Sequence, residues 1–526
     1  MTQDYDVVIV GAGHNGMAAA GYLSRAGKRV AVVERLDKVG GMASSGYLIP
    51  EAPQHLVTPC AVELLFVRGT GLIEDLELRK HGLTTIDPDP SYAYLHPDGN
   101  SIAVFRDAKR TAEDVARIHR GDGAQYLKFV ALLDALMDIG FPIMMAEPGR
   151  PGAGNAAKII GAAVRNVKLR EELTILASGT SDQIACEWFE HPATIGLLTG
   201  IAAGAGPIDE DGNAAAYMIF SVLHRLGTGK PVGSLQSFSN ALKASVEASG
   251  ATILLDAPVN EILIEGGAAK GVRLGDGRVL GAGAVIATCD PRTMMRLTTP
   301  GAVERRLVER IEHAPSNRWG GAPLLANIAM SKPLTLKRHQ DLRHDDADLN
   351  KAVGMIGTPE EVRGSFAAAK RGDIPARHAV SVTPMSNIDP SQAPPGGSVA
   401  YVYLPAITVD AREGWSPTLK DQTMASTIAH ISEFYDGFDS EVGRWVETPR
   451  EREVRLNVTN GCVTHIDFGS LRSGAKRPAV GFGNPTPAIP GLFIGGAGAH
   501  PGGGISGIPG RIAATRVQRY LKKAKR

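Results

Sequence analysis

The fold class of this chain is decided by an N-terminal stretch that reads Asp6-Val-Val-Ile-Val-Gly-Ala-Gly-His-Asn-Gly16. Its unbroken β-branched run, residues 7–10, predicts a central parallel strand that is buried on both faces. The three glycines predict a tight turn, and residues 17–26 then follow a helical pattern that Gly27 ends. Residues 29–34 form a second predicted strand, so the chain opens with a βαβ unit.

The glycines of this turn have the spacing Gly-x-Gly-x-x-Gly, which is a dinucleotide-binding fingerprint. Gly11 permits the tight turn, Gly13 lets a pyrophosphate approach the backbone, and Gly16 lets helix and strand pack closely. The N-terminus of the following helix offers N–H donors and a positive dipole to phosphate. Glu34, eighteen residues after Gly16, has the spacing of the acid that binds an adenosine ribose. The sequence therefore predicts a dinucleotide site, and a purely structural turn is the alternative.

Composition excludes several other classes of protein. The chain has 526 residues, of which 62 are glycine, and residues 11–46 and 478–510 are enriched in glycine relative to the rest of the chain. The glycines have no Gly-X-Y period, which excludes collagen, and 43% hydrophobic residues are enough for a packed core. The net charge of +1 provides no field for nucleic acid, so none is expected as a partner. The glycine-rich segments are predicted to bring backbone close to a ligand.

The cysteines and the termini predict a cytoplasmic protein without a metal site. No signal-peptide pattern opens the chain, and the longest charge-free run, residues 478–510, holds 11 glycines and 6 prolines and cannot be a spanning helix. Peripheral membrane contact is a further possibility, suggested by the apolar end of residues 129–145 and by the cations of residues 516–526. The alternatives are that residues 129–145 form an ordinary core helix and that the cations of residues 516–526 only match the dipole at a helix C-terminus. The cysteines are far apart and are predicted to be reduced: Cys60, Cys186, Cys289 and Cys462.

The rest of the chain mixes helices and strands without repeats. Helical patterns cover residues 112–145, 156–176 and 214–226. Strands are predicted at residues 251–255, 259–265, 271–274, 284–288, 378–383, 398–404 and 492–494, with a hairpin turn at 275–277 and a terminal helix over 509–523. This mixture, together with the initial βαβ unit, is typical of an α/β protein.

Two further glycine-rich motifs narrow the type of dinucleotide. One reads Val39-Gly-Gly-Met-Ala-Ser-Ser45, and the other reads Leu492-Phe-Ile-Gly-Gly-Ala-Gly-Ala-His-Pro-Gly-Gly-Gly-Ile-Ser-Gly507. They resemble motifs of the FAD-dependent phytoene desaturase and amine oxidase superfamily, and most of all its branch called pyridine nucleotide-disulphide oxidoreductase domain-containing protein 2. The similarity extends in order through residues 230–233, 287–291 and 461–467. It departs at residues 231–238, which lack the usual glycine-rich turn.

The resemblance implies an α/β fold in which a discontinuous, Rossmann-type FAD-binding domain with a parallel central sheet is interleaved with an α+β substrate domain. The FAD-binding domain would comprise residues 1–75, 225–300 and 455–526, and the substrate-binding, helical domain residues 76–224 and 301–454. The implied activity is hydride transfer between a small lipophilic substrate and non-covalent FAD. The alternatives are a flavin amine oxidase that oxidises a C–N bond with oxygen, and a non-catalytic flavoprotein that acts through partners.

The resemblance also implies cofactor contacts by position. The glycine turn would hold the pyrophosphate, Glu34 the ribose, and Arg35 and the Val259 backbone the adenine, while the C-terminal motif would contact the flavin half. Covalent attachment is not expected, because no cysteine follows Cys462. The implied cofactor-binding residues are Gly11, Ala12, Gly13, Asn15, Gly16, Glu34, Arg35, Gly40, Gly41, Met42, Ala43, Ser44, Val259, Gly496, Ala497, Ile505 and Ser506.

Catalytic residues are harder to assign, since hydride transfer to a flavin needs no dedicated base. His55 lies where the family's chain returns past the flavin, and His500 lies within the C-terminal motif. Both are candidates, and a structural role is the alternative for each. The sequence predicts no oligomeric state.

Overall fold

The computed structural model describes residues 4–336, 338–469 and 472–524. Within these ranges it contains sixteen strands and eighteen helices. The strands are β1 Tyr5–Val10, β2 Val30–Val33, β3 Thr85–Ile86, β4 Tyr92–Leu95, β5 Ser101–Val104, β6 Lys230–Pro231, β7 Thr252–Leu254, β8 Val259–Glu265, β9 Ala268–Leu274, β10 Val279–Ala287, β11 Gly321–Met330, β12 Val353–Ile356, β13 Val380–Pro384, β14 Ser398–Thr408, β15 Glu441–Glu447 and β16 Leu492–Ile494.

The helices are α1 His14–Arg25, α2 Leu72–Asp75, α3 Ala108–Ile118, α4 Arg120–Met145, α5 Ala153–Arg165, α6 Arg170–Ser178, α7 Ser181–Trp188, α8 Pro192–Ala203, α9 Met218–Leu226, α10 Leu235–Ala248, α11 Pro291–Leu297, α12 Arg305–Glu312, α13 Arg338–Asp341, α14 Pro359–Lys370, α15 Met385–Ile388, α16 Pro417–Ile431, α17 Pro449–Leu456 and α18 Ile508–Ala524.

The first sheet grows from the predicted βαβ unit. Its parallel core has the strand order β7-β2-β1-β10-β16. Val7 of β1 lies between Val30 of β2 and Ala284 of β10. The first residues of β10 pair instead with β9, which continues into β8, in an antiparallel ladder. The predicted α/β class with a parallel central sheet is confirmed, and residues 7–10 are buried on both faces as their β-branched run requires.

The second sheet is mixed and has the order β15-β11-β14-β13-β12-β4-β5. All its neighbours are antiparallel except β12 and β4. At one end of the sheet a face packs on helices, where Tyr94 shares a core with Tyr126 and Phe129 of α4. The opposite face packs on α16 through Val402 and Met424. The strands of the two sheets come from alternating stretches of chain, but the exact domain boundaries stay a prediction.

Several predicted helices are interrupted. The helix predicted over residues 112–145 is two helices, because His119 has an extended backbone and its Nδ1 accepts a hydrogen bond from the Asp122 N–H at 3.2 Å, which caps α4. Residues 156–176 likewise divide between α5 and α6, and residues 214–226 begin as a 3₁₀ turn before α9. These breaks leave the apolar spacing intact, so the periodicity alone did not reveal them.

In the part of the chain that the structure describes, no helix is both long and apolar enough to cross a bilayer. No group of three or more His, Cys, Asp or Glu side chains in these ranges could hold a metal ion. All four cysteines are free.

Candidate cofactor site

A cavity of about 400 Å³ lies at the carboxyl ends of β1, β2 and β10. Its lining includes Val10 and Val33, at which β1 and β2 end, and Thr288, which follows β10. In an open parallel sheet, ligands bind at this edge, where the strand order reverses. The order reverses beside β1, whose two neighbours are β2 and β10. The first sheet therefore creates the site through its topology.

The three glycines of the N-terminal turn have different surroundings. A Cβ atom on Gly16 would lie 2.0 Å from the Gly11 carbonyl oxygen, and one on Gly11 would lie 2.6 Å from Thr288 Oγ1. Packing therefore excludes a side chain at both positions. Gly13 has an ordinary extended backbone, and the nearest protein atom to a Cβ there, the Gly40 carbonyl oxygen, is 4.0 Å away. The space above Gly13 is thus left to a ligand.

The second glycine pair lies directly against this turn. The Gly40 N–H donates a 2.9 Å hydrogen bond to the Ala12 carbonyl, and a Cβ on Gly41 would lie 3.4 Å from the Gly13 Cα. Met42, next in the chain, lines the cavity. The two motifs, some 30 residues apart, therefore build one wall of the site.

Glu34 is held at the end of β2 by backbone N–H groups. Its Oε2 accepts a hydrogen bond from Ala12 at 2.9 Å, and its Oε1 accepts one from Leu36 at 3.1 Å. Arg35 is exposed, and its guanidinium donates to the Arg455 carbonyl. Val259 lines the same cavity. Each carboxylate oxygen of Glu34 keeps acceptor capacity for a ligand hydroxyl.

The C-terminal motif meets the N-terminal turn across the cavity. The His14 Nε2 atom is 3.2 Å from the Gly504 carbonyl oxygen, and both residues line the cavity with Ile505. A Cβ on Gly496 would lie 2.2 Å from the Thr288 carbonyl oxygen, so this glycine lets the chain after β16 pass close to β10. The two ends of the chain form one site.

Two polar atoms in the cavity lining have no protein partner. Asn15 Oδ1 and His465 Nδ1 are both buried and make no hydrogen bond to any described residue. His465 also has a φ of +61°, which is uncommon for a residue with a side chain. Buried polar atoms are nearly always paired, so these two indicate a ligand with hydrogen-bonding groups. Together with the open space above Gly13, they fit a bound dinucleotide.

The lining of the cavity carries few charged side chains. Burial lowers the pKa of His14 to about 4 and lowers the pKa of His465, and burial raises the pKa of the Cys289 thiol to about 12. All three side chains are therefore uncharged at neutral pH. Among the residues that line the cavity, Glu34 and Arg35 are the charged ones.

The structure places ten of the seventeen predicted cofactor residues in the cavity lining: Gly11, Gly13, Asn15, Glu34, Arg35, Gly41, Met42, Val259, Ala497 and Ile505. The other seven are not part of the lining: Ala12, Gly16, Gly40, Ala43, Ser44, Gly496 and Ser506. Several of these support the lining instead. The Ser506 Oγ accepts from the Ile508 N–H at 3.3 Å, and the Ser44 Oγ donates to the Gly41 carbonyl at 2.7 Å.

The two catalytic candidates lie outside the cavity lining. The His55 Nε2 is 3.2 Å from the Met330 carbonyl oxygen at the end of β11, and the His500 Nε2 is 3.1 Å from the Ile143 carbonyl oxygen at the end of α4. Each ring therefore contacts a backbone carbonyl, as is expected of a histidine with a structural role. A catalytic role for either stays a prediction.

Sequence reasoning missed several lining residues. These include Thr288 and Cys289 after β10, Asn457 after α17, and Thr464 and His465. Residues 287–291 and 461–467 belong to segments with family resemblance, but neither segment contains a spacing that predicts contact with a dinucleotide. The parallel pairing of β10 with β1 brings the first of them to the site.

Comparison with known proteins agrees with this geometry. The family model for flavin-containing amine oxidoreductases matches residues 16–516. Pyridine nucleotide-disulfide oxidoreductase domain-containing protein 2 of Mus musculus is 25% identical, covering 99% of this chain and 94% of its own. The neurosporene-forming phytoene desaturase of Cereibacter sphaeroides is also 25% identical, covering 96% of this chain and 92% of its own.

The fold is shared with a solved amine oxidase. A triple variant of putrescine oxidase superposes with a TM-score of 0.63 at 17% identity, covering 99% of both chains. The match to the family model spans nearly the whole sequence, and the cavity fits the dinucleotide that this family uses. This chain belongs to the flavin-containing amine oxidoreductase family and is an FAD-dependent oxidoreductase.

Proposed function

We propose that this enzyme transfers a hydride between a neutral, lipophilic substrate and non-covalently bound FAD, as a desaturase or dehydrogenase does. One observation carries the proposal. Beyond Glu34 and Arg35, which serve the ADP half, no lining side chain carries a charge at neutral pH. A site of this kind offers no further charged side chain to pair with a cationic or anionic substrate, whereas Met42, Val463 and Ile505 offer apolar contacts.

FAD would accept or donate the hydride, and the protein would bind and orient both reactants. The open cradle above Gly13 and the donors at the start of α1 would hold the pyrophosphate, and Glu34 would hold the ribose. Asn15 Oδ1 and His465 Nδ1 would each gain a hydrogen bond to the cofactor. The residues that do not line the cavity, such as Gly16 and Gly496, would act by keeping these groups in place.

Non-covalent binding is supported by the state of the nearby thiols. Cys60 and Cys289 line the cavity, and burial raises the pKa of both. A protonated thiol is a poor nucleophile, so neither is suited to attack a flavin. Acid precipitation should release all FAD into the supernatant. Flavin that stays with the precipitate would contradict this part of the proposal.

We also propose that substrate enters from the second sheet and its helices, which would form the substrate domain of residues 76–224 and 301–454. The segment after His55 connects this sheet to the cavity. The Asn327 side chain on β11 accepts from the Thr58 N–H at 3.0 Å, and the Tyr401 hydroxyl on β14 donates to the Cys60 carbonyl at 2.7 Å. Cys60 and Ala61 then line the cavity.

The activity can be tested by anaerobic reduction of the bound flavin. FAD-loaded enzyme is mixed with phytoene in detergent micelles or with benzylamine, and loss of oxidised-flavin absorbance is followed, with mass analysis of the product. We expect phytoene or a similar neutral alkene to bleach the flavin and to lose two hydrogens. Bleaching by the amine alone, or by neither compound, would overturn the proposal.

Amine oxidation is the second candidate, and one observation favours it. Tyr401 and Tyr403 on β14 have stacked rings with centroids 6.4 Å apart, and Tyr401 contacts Cys60 beside the cavity. Paired aromatic rings are suited to guide an amine. Neither ring lines the cavity in this structure, which is why hydride transfer from a neutral substrate ranks first.

A further inference from the structure

Helix α5 and the 3₁₀ turn after it carry an apolar stripe that points away from the protein. Ala157, Ile160, Val164 and Val167 follow one another at intervals of three, four and three residues, which places them on one helix face. Ile160, Val164 and Val167 are 64%, 67% and 63% exposed. Ala162 is the one buried residue of α5 among those described. This helix turns Ile160 and Val164 outward, while Ile159 is half-buried.

Such an arrangement is opposite to that of a helix in a soluble core, where the apolar face is buried. Single exposed apolar side chains are common, whereas neighbouring exposed apolar side chains are typical of interaction surfaces. Ile175 on α6, 52% exposed, and Ile143 at the end of α4, 46% exposed, add to the apolar surface of this helical region. We call residues 157–167 the α5 face.

The α5 face lies in a strongly basic stretch of the chain. Residues 148–170 contain five cations and no Asp or Glu, although Glu147 precedes them and the exposed Glu171 and Glu172 follow them; the whole chain has a net charge of +1. Within the described ranges, none of these cations lies in an ion pair, and all are exposed. They are Arg150, Lys158, Arg165, Lys168 and Arg170.

We propose that the α5 face docks on the surface of an anionic phospholipid bilayer. An amphipathic helix with an apolar stripe between cations lies in the plane of the membrane interface, with its apolar side chains among the acyl chains. Each nearby Lys or Arg adds attraction to anionic headgroups. A protein partner would need both a matching groove and acidic residues, whereas a bilayer supplies apolar depth and negative charge together.

The basic C-terminal tail is a weaker candidate for the same role. Arg516 and Arg519 are occupied by an internal ion pair with Glu147, at 3.0 and 2.6 Å. Lys525 and Arg526 lie outside the described residues. The five cations of residues 148–170, by contrast, are exposed to solvent.

The α5 face is connected to the C-terminal motif through α4. Helix α5 packs along α4, and the Ile143 carbonyl at the end of α4 contacts His500 of the C-terminal motif at 3.1 Å. That motif lines the cavity through Ala497 and Gly504. The docking itself does not depend on the proposed hydride transfer, because vesicle binding needs no substrate.

Vesicle flotation of the FAD-loaded full chain tests the proposal. We expect the protein to float with vesicles of phosphatidylglycerol and phosphatidylcholine, and to float less with phosphatidylcholine alone. The triple variant Ile160→Ser, Val164→Ser, Val167→Ser should bind the anionic vesicles at least about tenfold more weakly than the wild type. Because these side chains are exposed, its FAD content and unfolding temperature should equal those of the wild type.

A matched control removes three other exposed apolar side chains. Leu342, Val454 and Val480 are 52%, 77% and 56% exposed and lie elsewhere in the chain. The variant with serine at these three positions should float as the wild type does. Equal loss in both triple variants would mean that general surface apolarity, and not the α5 face, causes binding, and it would overturn the proposal.

The charges are tested separately with Lys158→Gln, Arg165→Gln and Lys168→Gln. This variant should lose the preference for anionic vesicles while keeping its weak binding to phosphatidylcholine, and added salt should affect it less than the wild type. A wild-type protein that floats with neither vesicle overturns the proposal. The proposal is also overturned if the wild type is an oligomer that binds no vesicles and the serine variant is a monomer. The α5 face would then contact a second copy of the chain.

Discussion

Gly13, in the glycine-rich segment of residues 11–46, differs in its surroundings from Gly496 and Gly510, in the glycine-rich segment of residues 478–510. In the C-terminal segment, a Cβ on Gly496 would lie 2.2 Å from the Thr288 carbonyl oxygen, and one on Gly510 would lie 2.0 Å from the Asn15 carbonyl oxygen. In the N-terminal segment, a Cβ on Gly13 would meet no protein atom closer than 4.0 Å. The first two glycines bring protein to protein, while Gly13 leaves room for a ligand.

This difference teaches that glycine excess in a dinucleotide-binding protein has two separate causes. Close packing of strands and helices needs glycine wherever two backbones meet, as at Gly16, whose Cβ would lie 2.0 Å from the Gly11 carbonyl oxygen. A ligand that approaches the backbone needs glycine at a position where the protein itself would tolerate a side chain. Amino-acid composition does not distinguish these two causes of glycine excess, whereas substitution of single glycines by alanine does.

The largest effect is expected for Gly510→Ala. The new Cβ would collide with the α1 backbone where α18 crosses it, so one helix must shift. We expect a loss of about 3–5 kcal/mol in the free energy of unfolding, measured by urea denaturation. Gly364→Ala is the matched control, because a Cβ at this exposed glycine of α14 would have no atom within 4 Å. It should be neutral or gain up to about 1 kcal/mol of stability. Equal stability of both variants would contradict the packing role.

The opposite pattern is expected for Gly13→Ala. The free energy of unfolding of the FAD-free protein should fall by only about 1 kcal/mol, since the methyl group has space but alanine is a poorer N-cap residue than glycine. FAD affinity should fall by about a hundredfold, because the methyl group occupies the pyrophosphate's place. Fluorescence titration measures the affinity. If the variant binds FAD normally, Gly13 does not face the cofactor and the comparison fails.

A smaller effect is expected for Glu34→Gln. The amide keeps the shape of the side chain and one acceptor oxygen but loses the charge that strengthens its hydrogen bonds, so FAD should bind about tenfold more weakly. The same titration measures it. Glu309→Gln, an exposed residue of α12 paired with Arg305, is the control and should leave FAD affinity unchanged. An unchanged affinity for Glu34→Gln would remove Glu34 from the site.

The smallest effect concerns His14, which joins the two segments through its contact with Gly504. Burial lowers its pKa from 6.5 to about 4, so the folded state binds the proton less well than the unfolded state. Its contribution to stability is therefore complete above about pH 6.5 and decreases as the pH falls toward 4. Wild type should lose more stability than His14→Gln when FAD-free protein is unfolded at successively lower pH. Parallel curves for the two proteins would contradict a desolvated His14.

Much of the first sheet could be predicted from local sequence. The strand of residues 7–10, the turn, α1 and β2 follow one another within 34 residues, so their contacts are encoded by neighbours in the chain. β8 and β16 have the predicted bounds. Local patterns also located Glu34 beside the glycine turn. They did not reveal the break at His119, which depends on one side-chain cap.

The far side of the cavity could not be predicted in the same way. Thr288 and His465 reach the site through the pairing of β10 with β1 and through loops that no local rule positions. The sequence motifs predict that His55 and His500 lie near the cofactor. In the structure, each ring instead contacts a backbone carbonyl outside the cavity lining. Side-chain direction is decided by packing, and packing joins residues hundreds of positions apart.

The sequence by itself determined that this chain begins with a dinucleotide-binding βαβ unit and resembles FAD-dependent oxidoreductases, because turn geometry and strand burial depend on neighbouring residues. The tertiary structure alone decided which glycines serve packing and which leave space, that the cavity is nearly uncharged beyond Glu34 and Arg35, and that the α5 face points outward. These properties depend on distances between segments that are remote in the chain, and only the folded arrangement sets such distances.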